Sequence, residues 1–206
     1  MLGGAVARPA PKPMTPAAPS SAPSPDAPAD RPSRVLLLPG WQGSGPRHWQ
    51  SLWEAGHGDL RVEQHDWDWP RRGDWMARLE EVLAAQPAPV RLAAHSLGCH
   101  LVAAWAAHTR HPQRVRGALL VAPPHLERPD LPPALAPWRP AVRRRLPFPA
   151  VAVLSDDDPY SPLDAAERLV ADWGCTEIRR LPGRGHLNAD SGLADWPEAR
   201  TWLSAL

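Results

Sequence analysis

Val90-Arg91-Leu92-Ala93-Ala94-His95-Ser96-Leu97-Gly98-Cys99-His100-Leu101-Val102-Ala103-Ala104-Trp105 is the stretch that decides the fold of this 206-residue chain. The apolar run 90–94 reads as a buried strand, and residues 97–109 read as a helix. No polar linker separates the two, so the chain must turn sharply at Ser96. Ala94 and Gly98 flank the serine at two positions either side. Small residues are needed there because such a turn presses the helix onto the neighbouring strands. The turn lifts the Ser96 hydroxyl above the sheet edge, where the backbone N–H groups of the helix start converge. The plainer reading of the serine is as an N-cap, its side chain spent on the helix backbone.

Outward from this junction the chain alternates strands with helices. Residues 34–38, 61–65, 90–94, 117–122, 150–154 and 176–181 read as strands. Helices are expected over about 47–55, 73–85, 97–109, 161–173 and 197–205. Val35–Leu38, Ala118–Ala122 and Ala150–Leu154 are continuously apolar, as strands buried on both faces must be. The expected fold is therefore α/β: a three-layer, mostly parallel six-stranded sheet with helices on both faces. Residues 123–149, rich in Pro and Arg, interrupt the rhythm and read as a short cap or pocket wall. The domain is assigned to 34–206. Residues 1–33 hold nine of the 28 prolines with no apolar period, so they read as a disordered Pro/Ala-rich tail.

Formal net charge is +1, and Arg8, Lys12 and Arg31 against Asp26 and Asp30 place that charge in the tail. A near-neutral domain carries no electrostatic footprint for nucleic acid or for a membrane. No apolar run is long enough to span a bilayer, and no secretory h-region opens the chain. Cys99 and Cys175 lack metal-ligand spacing and read as free thiols. A cytoplasmic protein is expected.

A serine hydroxyl is a poor nucleophile until a base takes its proton and a carboxylate orients that base. Downstream of Ser96, Leu154-Ser155-Asp156-Asp157-Asp158-Pro159-Tyr160 ends one strand and Pro182-Gly183-Arg184-Gly185-His186 follows the next. Strand C-terminal ends are where open α/β sheets build their sites. His186 is assigned as base. His95 is too near Ser96 along the chain to reach its hydroxyl. Asp156, Asp157 and Asp158 compete for the acid, and Asp158 is chosen. The loop Pro39-Gly40-Trp41-Gln42-Gly43-Ser44-Gly45-Pro46 can bring backbone close to a ligand. The N–H of Trp41, with Gln42 as alternative, would join that of Leu97 as an oxyanion hole. Phosphate-loop and dinucleotide fingerprints both fail in this loop. No metal or organic cofactor is expected.

Together, Pro39-Gly40-Trp41, His48-Trp49-Gln50, Asp66-Trp67, Trp69-Pro70, His95-Ser96-Leu97-Gly98, Asp157-Asp158-Pro159-Tyr160, Gly185-His186-Leu187-Asn188, Ser191-Gly192-Leu193 and Trp196-Pro197 resemble the small serine hydrolases. That family, within the α/β-hydrolase superfamily, is typified by retinoblastoma-binding protein 9 and bacterial YdeN-like proteins. The resemblance runs from about Arg34 to the C-terminus. It implies an α/β-hydrolase with minimal or no cap, and a Ser-His-Asp triad on Ser96, His186 and Asp158. It implies no firm substrate. A pocket-protein motif L-x-C-x-E is not formed by Leu97-Gly98-Cys99-His100-Leu101, which lacks the Glu. Ala94 and Ala194 stand where the family commonly has Gly.

The expected activity is a carboxylesterase-like serine hydrolase acting on an ester, amide or thioester of a small acyl compound. The alternative is an inactive relative serving as a protein-interaction module. Gln42, Trp69 and Trp138 are candidates for the substrate pocket. Most of the eleven tryptophans read as packing residues. Arg143-Arg144-Arg145 reads as a solvated run, or alternatively as an anchor for an anionic substrate.

Overall fold

The computed structural model describes residues 34–206 together with Met1, Gly3 and Gly4. The tail assigned to 1–33 otherwise lies outside the described residues. Six strands form one sheet: β1 Val35–Leu38, β2 Leu60–Arg61, β3 Val90–His95, β4 Val115–Val121, β5 Ala150–Leu154 and β6 Glu177–Arg180. Their order is β2-β1-β3-β4-β5-β6, and every neighbouring pair is parallel. Among the described residues there are five α-helices, four between strands and the last after β6: α1 Trp49–His57, α2 Arg72–Ala84, α3 Leu97–Ala106, α4 Leu163–Asp172 and α5 Pro197–Ser204.

The strand residues divide by parity between two cores, because successive side chains point to opposite faces. Leu36, Leu38, Leu92, Ala94, Ala118, Leu120, Ala152 and Leu154 pack with α2, α3 and α4. Val35, Leu37, Ala93, Leu119, Val121, Val151 and Val153 pack with α1 and α5. Both faces are covered, which is why these strands carry no polar alternation. The edges differ. The strand expected over 61–65 is only Leu60–Arg61, with one further bond to β1 from the Val62 N–H to the Leu37 carbonyl at 2.9 Å; the Val62 side chain is buried in the α2 core. The other edge, β6, is Glu-Ile-Arg-Arg, and its charges discourage pairing with a further strand.

The turn between β3 and α3 sets the geometry of everything above it. Ser96 adopts φ 53° and ψ −123°, a region that costs a non-glycine residue about 1–3 kcal/mol. Gly98 makes the turn possible. A Cβ there would lie 2.2 Å from the Leu38 carbonyl oxygen and 2.9 Å from that of Pro39. Ala94, two residues before the serine, is fully buried within β3. Gly98→Ala is therefore expected to lower stability by about 1–3 kcal/mol as backbone gives way, measured by urea unfolding. An unchanged midpoint would show that α3 is not seated so tightly on β1.

Among the described residues no helix is long and apolar enough to cross a membrane. Cys99 and Cys175 are free.

Candidate active site

Ser96, His186 and Asp158 meet at the C-terminal ends of β3, β5 and β6. Ser96 makes no capping bond to its own helix, so the N-cap reading fails. Its Oγ instead lies 2.9 Å from His186 Nε2. His186 Nδ1 lies 2.9 Å from Asp158 Oδ2 and 3.0 Å from Oδ1. The imidazole thus donates from Nδ1 to the carboxylate and accepts at Nε2 from the hydroxyl.

The three consecutive aspartates have separate tasks. Asp158 Oδ1 also accepts from the Tyr160 N–H at 2.9 Å, which fixes the carboxylate toward His186. Asp156 Oδ1 accepts from the Gly183 N–H at 2.8 Å. Asp157 Oδ1 accepts from the Ser155 hydroxyl and from the Gly185 N–H, both at 2.6 Å. Those two donors, the Ser155 hydroxyl foremost, hold the Asp157 carboxyl below the usual carboxylate range. Ser155 Oγ in turn accepts from the Arg184 N–H at 3.0 Å. The loop carrying His186 is thereby stitched to the loop carrying Asp158. These contacts distinguish the three acids, and Asp158, the one chosen from the sequence, is the one that faces His186.

His95 does not reach the serine. It supports the base from behind: its Nε2–H donates to the His186 carbonyl at 2.8 Å. His48 stacks edge-on against His95 with centroids 4.6 Å apart, and its Nδ1 accepts from the Gln50 N–H to cap α1. Burial depresses both rings, His48 to about 3 and His95 well below 6.5. Neither adds a positive charge beside His186.

Gly40 brings the first loop onto the serine. A Cβ at this position would stand 2.7 Å from Ser96 Cβ and 3.1 Å from its Oγ. The Gln42 N–H is committed to the Trp67 carbonyl at 3.1 Å. The N–H groups of Trp41 and Leu97 donate to no described group.

A cavity of about 410 Å³ opens over Ser96 and His186. Trp41, Gln42 and Leu97 line it. Two pocket candidates do not. Trp69 is 63% exposed and lies beside His65, Asp66 and Asp74 in a separate depression. Trp138 is buried in the α2 core, where its indole N–H donates to the Pro70 carbonyl. The aromatic character of Trp138 serves packing. The far wall comes from the 123–149 excursion, which contributes Pro124, Arg128, Asp130, Leu131, Pro132 and Leu135. Only its interruption of the strand-helix rhythm marked that segment. His100 anchors its start by donating from Nε2 to the Pro124 carbonyl at 2.8 Å.

The parallel sheet and the strand-to-helix turn at Ser96 define an α/β-hydrolase. The model of the serine hydrolase family matches residues 35–205, and the chain belongs to that family. Solved structures share the fold. A YdeN-like hydrolase from Pectobacterium atrosepticum superposes with a TM-score of 0.73 at 24% identity, over 84% of this chain and 89% of its own. The ydeN product of B. subtilis gives 0.62 at 20%, over 84% and 97%. The esterase RhEst1 from Rhodococcus gives 0.62 at 17%, over 84% and 91%. No curated protein matches the chain by sequence.

Proposed function

We propose that the chain hydrolyses carboxylic esters of small acyl compounds through an acyl-enzyme on Ser96, with amides and thioesters as further substrates of the same chemistry. The unbroken hydrogen-bond line from Asp158 through His186 to Ser96 Oγ carries this reading. His186 Nε2 takes the hydroxyl proton as Oγ attacks the carbonyl carbon. Asp158 holds the productive tautomer and stabilises the imidazolium. The N–H groups of Trp41 and Leu97 receive the oxyanion, since both are uncommitted and flank the serine. The tetrahedral adduct collapses as His186 returns the proton to the leaving alcohol. Water then attacks the acyl-enzyme by the same route and releases the acid. The nucleophile, the base, the orienting carboxylate and the oxyanion donors of this sequence are all groups of the protein.

A fluorophosphonate probe tests the reading directly. It is expected to label the wild-type protein and to leave Ser96→Ala unlabelled, while p-nitrophenyl ester turnover disappears in parallel. Labelling that persists in Ser96→Ala would remove Ser96 from its role.

A further inference from the structure

The cavity over Ser96 has one arginine and one carboxylate in its described lining, Arg128 and Asp130, and they are bonded to each other. Arg128 Nε donates to Asp130 Oδ1 at 2.6 Å, and Nη2 donates to Oδ2. Nη1 donates to the Pro159 carbonyl at 3.3 Å. The guanidinium lies 5.7 Å from the centroid of the Tyr160 ring. Three of the five guanidinium N–H donors are therefore used, two on Asp130 within the excursion and one on the loop that carries Asp158. The nearby arginine run supplies no replacement. Arg143 pairs with Asp172, Arg144 donates to the Ala107 carbonyl, and Arg145 lies against Gly174. Much of the remaining wall is apolar: Leu97, Pro124, Leu131, Pro132 and Leu135.

We infer that the Arg128–Asp130 pair makes this site select neutral, apolar acyl groups and reject acyl groups that carry a carboxylate. The inference rests on the Ser96 reading and names the substrate class of that site. A carboxylate entering the cavity gives up hydration and meets no unpaired cation. It gains Arg128 only by displacing Asp130, which then loses its own bidentate partner. A neutral aliphatic chain meets neither penalty, and it gains contact with the leucines and prolines of the far wall.

The experiment compares p-nitrophenyl hexanoate with the mono-p-nitrophenyl ester of adipic acid, whose acyl chains are equal in length and differ by a terminal carboxylate. Wild-type protein at neutral pH is expected to favour hexanoate by about tenfold or more in kcat/KM. Asp130→Asn leaves the Arg128 charge uncompensated, so the preference is expected to shrink by about fivefold. Equal rates on the two esters, or a preference for adipate, would overturn the charge selection. So would an Asp130→Asn variant with the wild-type ratio. These outcomes leave the Ser96 reading standing. That reading fails on a different result, namely ester turnover that survives Ser96→Ala, or none by the wild type on either ester, and the substrate class then falls with it.

Discussion

Asp158→Asn is expected to lower kcat by about a thousandfold to ten-thousandfold, with little change in KM. The asparagine Oδ1 can still accept from the Tyr160 N–H, as Asp158 Oδ1 does at 2.9 Å. Its NH₂ group then faces His186 Nδ1, which must accept instead of donate. The proton moves to Nε2, the nitrogen 2.9 Å from Ser96 Oγ, and the base can no longer take the hydroxyl proton. The imidazolium also loses its counter-charge. Substrate binding depends on the cavity wall, so KM is spared. Asp157→Asn is the matched control. It keeps an acceptor for the Gly185 N–H, bonded at 2.6 Å in the wild type, and is expected to lose no more than about tenfold. The checking measurement is kcat and KM on one p-nitrophenyl ester for the three proteins. Equal losses in the two variants would mean that Asp158 acts by holding the loop and not by setting the tautomer of His186.

The second large effect is on stability in mild acid. His48 and His100 are buried as neutral rings, their pKa values pushed by desolvation from 6.5 to about 3 and about 4. His95 is shifted in the same direction. Because each folded-state value lies below the unfolded one, the unfolded chain binds more protons as the pH falls. The histidine contribution is thus fully present above 6.5. It is lost progressively as the pH drops through 6.5 toward the folded values. Between pH 7 and pH 5, His48 and His100 should each cost about 2 kcal/mol. Carboxylates titrate mostly below this window. Urea unfolding at the two pH values measures the loss. His100→Gln retains a side-chain donor for the Pro124 carbonyl but does not titrate. Its loss over the same interval should be smaller than that of the wild type by about 2 kcal/mol. An identical loss would mean that His100 is not neutral by burial.

Much of the fold was legible because it rests on local pattern. Continuously apolar runs at β1, β4 and β5 announce strands covered on both faces, and the alternation with helices leaves few topologies. Edges were read less well. β2 is two residues long, its pairing to β1 closing with the bond from the Val62 N–H to the Leu37 carbonyl, a boundary that no local pattern in residues 61–65 marks. The elbow was legible for a steric reason. A serine flanked by Ala94 and Gly98 between a strand and a helix leaves no room for larger residues, and the 2.2 Å approach at Gly98 is that constraint seen in three dimensions.

The sequence by itself determined the layered parallel sheet, the turn at Ser96, and the two downstream loops able to deliver a base and an acid. These follow from periodicity and from steric limits that act within a few residues. Only the tertiary structure decided what Asp156 and Asp157 do beside Asp158, that His95 serves as a prop for the loop of the base, and which side chains wall the cavity. Trp138 and Trp69 look alike in sequence, yet one is sealed in the core and the other stands in solvent. Arg128 and Asp130 sit in a segment with no periodic pattern, and they reach the site because its loop folds back onto Tyr160 and Pro159. The reason is one of range. Local patterns specify elements, whereas hydrogen-bond partners and cavity walls are set between segments far apart in the chain, once the sheet has brought its strand ends together.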